Sequence, residues 1–452
     1  MMESETLVYV DLSGKPYLVG RLWTRTRKEK DSATFEYDKD WLSNPLRFSL
    51  EPALTLGPGP FHSGDRTLFG AIGDSAPDRW GRVLMRRAER RRAEREGKTG
   101  RTLREIDYLL MVDDYARQGA LRFAATAGGP FLAENGKKKI PPLIELPRLL
   151  SAAEHVLGDK ESDEDLRLLL APGSSLGGAR PKASVRDRDG QLAIAKFPHE
   201  GDEINTVLWE AVALTLASKA GINVPEWRLE SVGKRPVLLL RRFDRLEGSR
   251  IPFVSSMSML HARDNEQRSY MEFVDVLRQY GGAPKVDMRM LWRRIVLSIL
   301  ISNTDDHLRN HGFLYSDPAG WRLSPAYDLN PVPIDIKPRV LSTAIDLDDA
   351  TASLELALEV ASYFEVSMEE AHQIAYEVAT AVTSWRSIAA ELGLTASQVD
   401  RMASAFDHPE IQKALAGKPI ISPKAGSKGK RKLPARSFAP FVPDPMTPKL
   451  VD

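Results

Sequence analysis

The chain of 452 residues contains no cysteine. Disulfides, cysteine-ligated zinc, iron–sulfur clusters and thiol nucleophiles are therefore excluded. No run approaches the roughly twenty apolar residues that a bilayer requires, and nothing resembles a secretory signal. A cytoplasmic protein without a membrane partner is expected. Charge of either sign is not in excess, because 63 Lys plus Arg face 62 Asp plus Glu, so global electrostatics give no reason to expect a nucleic-acid wrapper. There is no Walker motif, no glycine fingerprint leading into a strand–helix–strand unit, and no helix-turn-helix that can be defended. The length allows a large core, divided over two or three domains.

The most informative stretch is Ile299 to Asn330, ILISNTDDHLRNHGFLYSDPAGWRLSPAYDLN. It places Asp305, His307 and Asn310 in one short window. Two apparent strands, HGFLYSD and GWRLSPA, follow with a turn at Pro318 to Gly320, and then comes a second acid, Asp328. A hairpin of this kind brings its two ends back together. An Asp that can orient a hydroxyl, an Asn five residues later and an Asp after a hairpin are what a protein kinase needs, the last two as hard oxygen ligands for Mg²⁺ on nucleotide phosphates. Taken alone, the stretch reads equally well as a polar loop whose carboxylates cap helices and turns.

Upstream, LVYVDLSGKPYLVGRL reads as a β-hairpin and FEYDKDWL as a further strand. A helix is expected after Pro77, and its arginines from Arg86 to Arg95 alternate with Glu and Ala, which favours a solvated face or a protein-binding surface. Gly173, Gly177 and Gly178 lie among small residues in LLLAPGSSLGGARPKASVRDRDGQL, where the backbone could approach an anion closely. Lys196 falls on the apolar strand IAKF and needs a carboxylate to hold it if it faces inward. Glu210, in the helical pattern INTVLWEAVALTLASKAGI, is the candidate, with Glu203 the alternative. The run RPVLLL followed by RRFDR reads as a junction between a β-rich and a helical part, with backbone near Leu240 to Arg242 able to meet an adenine edge. In the helix before the central stretch, Arg293 and Arg294 read as intrahelical ion-pairing residues. Helical spacing dominates beyond Asn330, and from about Gly417 the Pro-, Lys- and Ser-rich text reads as a disordered basic tail.

In order, FEYDKDWL, PDRWGR, SSLGGARPKA, IAKF, RRFDR, NTDDHLRN and LSPAYDLN resemble the HipA-like serine/threonine kinases, the toxin component of bacterial toxin–antitoxin modules. The resemblance covers most of residues 5 to 410. It implies an α/β (α+β), two-lobed protein-kinase-like fold with a small β-containing amino-terminal subdomain and a mostly helical carboxy-terminal lobe. The expected partition is an amino-terminal subdomain over 1–105, a kinase N-lobe over 106–241, a helical C-lobe over 242–416 and a tail over 417–452. The segment EPALTLGPGPFHSGDR departs from the family pattern.

By the same resemblance, Asp305 matches the catalytic-loop aspartate, Asn310 and Asp328 the Mg²⁺ ligands, and Lys196 the phosphate-contacting lysine, with Glu210 as its partner. His307 is expected to stabilise the loop. Gly177, Gly178 and Ala179 correspond to a phosphate loop in which Ser175 would be autophosphorylated, and Leu240, Arg241, Arg242 and Phe243 border the nucleotide. ATP and Mg²⁺ are the implied cofactors. The implied partners are a protein acceptor with a Ser or Thr hydroxyl and a small DNA-binding antitoxin, through which DNA would be reached indirectly. A small-molecule kinase and an inactive nucleotide-responsive binding protein are the alternative readings.

Overall fold

The computed structural model describes residues 2–27, 30–134, 140–173, 178–199, 201–316 and 318–417. The phosphorylation candidate Ser175, the loop residue Gly177 and the tail from 418 onward lie outside them.

The amino-terminal region is a five-stranded antiparallel sheet in the order Pro60–His62, Lys30–Tyr37, Lys15–Arg27, Met2–Leu12, Leu121–Ala124. Strict inward alternation on the strand Lys30–Tyr37 buries Ala33, Phe35 and Tyr37, as one-sided burial of an antiparallel sheet demands. The strand expected over FEYDKDWL ends at Tyr37. Asp38 there accepts the Asp40 N–H at 2.9 Å and starts the short helix Lys39–Ser43, because an Asp cap offers the backbone a competing bond. The aromatic ring of Phe48 stacks on Tyr315 at 3.9 Å and meets Trp321 edge-on, which fastens this region to the hairpin of the central stretch.

A four-stranded antiparallel sheet in the order Lys182–Arg186, Leu192–Lys196, Arg235–Arg241, Trp227–Val232 follows. The helix Thr206–Lys219 packs against it and is buried around nearly its whole circumference, as expected of a helix that is apolar on every face. Its start is set by Asn205, whose side chain accepts the Leu208 N–H. Glu203 precedes that start and pairs with Arg401, so it is excluded as a partner for Lys196.

The remaining chain is mostly helical. Helix Pro284–Leu300, opened by its proline, leads into the central stretch, and the helices Met368–Val382, Trp385–Glu391 and Pro409–Ala416 complete a core in which Trp385 stacks on Phe406 at 4.5 Å. Arg293 and Arg294 reach other elements instead of bonding within their helix, to Glu377 and the Ser324 carbonyl respectively. In helix Arg79–Arg95, Arg87 binds Glu161 and Asp159 of another segment, while Arg92 binds Glu89 on the same helix. Among the described residues no helix is long and apolar enough to cross a membrane.

Candidate active site

The strands Gly312–Ser316 and Gly320–Leu323 form the hairpin read from the sequence. Its two ends are tied directly, since the buried Asn303 accepts the Asn330 N–H at 3.0 Å and donates to Ser298. This brings His307, Arg309 and Asn310 of the loop, together with Asp328, to one cleft of about 690 Å³, which also takes Gly178, Lys182, Lys196 and Leu240 from the four-stranded sheet side. A volume of this order suits a small-molecule or cofactor site.

Lys196 ends its strand with its ammonium on Glu210, at 2.6 and 2.8 Å, and on Asp328. Burial opposes the charge on Lys196, but the carboxylates of Asp328 and Glu210 outweigh it and hold the ammonium protonated. Burial also pushes the Asp328 carboxyl upward. Lys196 and Lys182 overcome that effect and hold it well below the usual range. Glu210, buried behind the lysine, is shifted upward by its loss of solvent. Asp328 itself sits at a left-handed φ of 55°, an unusual state for a non-glycine residue that the surrounding contacts must sustain.

The two neighbouring acids of the loop divide sharply. Asp305 is exposed, with 60% of its side chain open, and is not among the residues that line the cleft. Asp306 is buried, accepting Tyr270 Oη–H at 2.6 Å and Ser298 Oγ–H at 3.1 Å, with His311 Nε2 at 2.9 Å. The loop is closed by two donors to the Asp305 carbonyl, the His307 N–H and the Asn310 side-chain amide. The scaffold histidine is therefore His311, whereas His307 is exposed and lines the cleft.

Asn310 and Asp328 fit a Mg²⁺ ion. Both line the same cleft, and the Asn310 amide nitrogen is committed to a carbonyl, which leaves its oxygen as a hard donor. Among the described residues no cluster of three or more His, Asp or Glu forms a self-contained metal site. Mg²⁺ on a nucleotide commonly takes only one or two protein oxygens and completes its shell with phosphates and water.

Several expected contacts are modified. Gly178 lines the cleft, but its N–H is taken by Asp78 at 2.6 Å and its carbonyl by the Trp80 N–H. Ala179 is exposed and outside the lining. The N–H groups of Arg241 and Arg242 are used by the Glu226 and Leu192 carbonyls, so neither can donate to an adenine edge. The Arg241 guanidinium pairs with Glu226, and that of Arg242 is buried on Asp244 and the Ala116 and Arg117 carbonyls. Leu240 and the Phe243 ring, packed on Tyr327, supply an apolar wall. Sequence reasoning overlooked Lys182, the register partner of Lys196 on the adjoining strand. It is buried and lines the cleft. Its place in the RPK end of the glycine segment was the available signal.

Part of the chain is similar to known proteins. The model of the HipA-like C-terminal domain matches residues 174–386. "Putative kinase Y4mE" of Sinorhizobium fredii is 25% identical over 185 residues, covering 34% of this chain and 41% of that protein. "Putative kinase" of Haemophilus influenzae is 25% identical over 180 residues, covering 34% and 52%. The match thus spans about half the length, or less, of these curated relatives. Among solved structures, HipA of the Shewanella oneidensis MR-1 toxin–antitoxin system, in its complex with HipB and operator DNA, superposes with a TM-score of 0.63. That superposition covers 91% of this chain and 96% of the other, at 16% identity, and establishes the mixed α/β, kinase-like fold. Residues 174–386 are therefore similar to the HipA-like C-terminal domain, and the chain shares the fold of the Shewanella HipA structure.

Proposed function

We propose that the chain is an ATP-dependent protein kinase that phosphorylates Ser or Thr hydroxyls and modifies its own Ser175. The observation that carries this reading is the convergence on one cleft of Asn310, Asp328 and Lys196, the lysine braced by Glu210, with the exposed Asp305 in the same short loop as Asn310. In the proposed reaction the acceptor oxygen bonds to the γ-phosphorus as the bond to the β,γ-bridging oxygen breaks. The hydroxyl proton passes to the Asp305 carboxylate, and ADP leaves. Lys196 and Lys182 hold the phosphates, and Leu240 with Phe243 faces the base. Asn310 and Asp328 would hold Mg²⁺, which supplies charge neutralisation on the phosphates when bound.

The kinase names of the relatives and the shared HipA fold support this reading. The Shewanella protein is seen with HipB and operator DNA. By analogy, a small DNA-binding antitoxin is proposed as partner of this chain, DNA as an indirect one, a toxin's role as its biology and the cytoplasm as its place. The partition into 1–105, 106–241 and 242–416 is proposed on the same basis.

The test is transfer from γ-labelled ATP to cell-extract proteins and to the chain itself. Asp305→Asn should lower turnover by roughly 10²- to 10⁴-fold, the range of a general base, while nucleotide binding persists. Phosphopeptide mapping should place the self-modification on Ser175. Wild-type rates in D305N would refute the role of Asp305.

A further inference from the structure

The loop 305–310, DDHLRN, contains no lysine, and its one arginine, Arg309, is turned to Asp264. Phosphoryl transfer relies on positioned groups and fixed charges at the reacting centre. A cation next to Asp305 must therefore come from elsewhere in the chain. The segment after Asp328 provides one. Lys337 Nζ donates to the Thr304 carbonyl at 3.1 Å and lies 3.5 Å from Asp305 Oδ1. Among the described residues it is the one side chain in ion-pair contact with that carboxylate.

The surrounding segment is built to hold the lysine there. Ser342 donates from both its N–H and its hydroxyl to the same Thr304 carbonyl, and Thr343 Oγ1 donates to the Asp306 carbonyl at 2.7 Å. Arg339, the other cation of this segment, is spent on the carbonyls of Ile299 and Ala352. It anchors the strap, whereas Lys337 alone reaches an acid of the reacting loop. The backbone of Asp305 is already fixed by His307 and Asn310 through its carbonyl. Its exposed carboxylate, by contrast, meets Lys337 as its one ion-pair partner among the described residues.

We propose that Lys337 is a positioning residue for the transfer reaction: its ammonium, tethered on the Thr304 carbonyl, fixes the Asp305 carboxylate towards the acceptor hydroxyl. This inference rests on the kinase reading of the site. It also links the segment 333–343 to turnover, since a shift of the strap moves the cation.

The experiment uses the full chain, γ-labelled ATP and self-phosphorylation as the readout, with Lys337→Met, Lys337→Arg and Ser342→Ala compared. K337M should lower the transfer rate at saturating ATP by roughly 30-fold, within the cost of misplacing a reacting group, and leave the ATP concentration for half-saturation within about 2-fold. K337R should recover most of the rate. S342A, which removes the strap's hydroxyl donor to the Thr304 carbonyl but keeps the Ser342 N–H bond and the ammonium, should lose clearly less of the rate than K337M does. An unchanged K337M rate, failure of K337R to recover any of a lost rate, or an equal loss in S342A would overturn the assignment. If wild type and D305N were equally inert, the kinase reading itself would fall, and the role of Lys337 with it.

Discussion

Two clusters of buried charge behave differently. At the junction RRFDR, Asp244 accepts from Arg242 at 2.5 and 2.8 Å, from Arg245 at 2.8 Å and from the Gly119 N–H at 2.7 Å. Both guanidiniums spend further N–H groups on the carbonyls of residues 115–119. Burial alone would raise the Asp244 carboxyl, yet the two arginines hold it far below the usual range, and loss of solvent pushes Arg245 down to about 9. Arg242 and Asp244 line the same cleft as Lys182, Lys196 and Asp328, so the clusters differ in how their charges are satisfied: the guanidiniums by several backbone carbonyls besides the carboxylate, Lys196 by the side chains of Glu210 and Asp328. A cluster knitted into the backbone is structural. One held between side chains can exchange a partner for something that enters the cleft.

The largest effect on stability should come from the saturated cluster. Asp244→Asn leaves two buried guanidiniums facing a neutral amide, and breaking a buried pair from one side costs about 3–5 kcal/mol. Urea unfolding of the full chain should show that loss, and a change below about 1 kcal/mol would mean that the junction is not the structural cluster described.

Glu51, buried against the start of the helix after Phe69, offers a third case. One carboxylate oxygen accepts the Ala71 N–H, while the other is buried without a partner. Burial, with Asp74 nearby, pushes it up to about 7, against a weaker pull from the Ala71 and Gly70 N–H groups and Arg66. The charged form is thus disfavoured by folding. Its contribution to stability is complete below the unfolded pKa of about 4.5 and is lost as pH rises through about 7. Glu51→Gln keeps an acceptor for Ala71 and cannot ionise. It should flatten the stability profile between about pH 5 and 8 and be the more stable form at pH 8 by on the order of 3 kcal/mol. A wild-type slope persisting in E51Q would assign that pH dependence to another group.

The legible part of the site was the part carried by local spacing. Asp305 and Asn310 share one turn, Asp328 follows one hairpin, and Lys196 stands out as a charge on an apolar strand. Glu210 could be singled out because its helix is buried on every face, so a carboxylate there needs a cation. What escaped was pairing across long sequence separations. Asp78 on the Gly178 N–H, Trp80 on the Lys182 carbonyl and Arg242 on the Ala116 carbonyl each join residues of different regions. No periodicity encodes such contacts. The exchange of His307 and His311 has a simpler cause: only the burial of Asp306 decides which histidine turns inward, and Asp305 and Asp306 are chemically identical in the text.

The most direct test of the cleft as a phosphoryl-transfer site is the same Asp-to-Asn change at Asp328, measured for both transfer and stability. Lys196 retains Glu210 in that variant, so the account predicts a folded protein that loses less unfolding free energy than Asp244→Asn does. Single-turnover transfer from Mg²⁺-ATP should fall by roughly 10³-fold, equivalent to about 4 kcal/mol in the barrier. A D328N protein that transferred phosphate at the wild-type rate, or lost activity only because it unfolded, would contradict it.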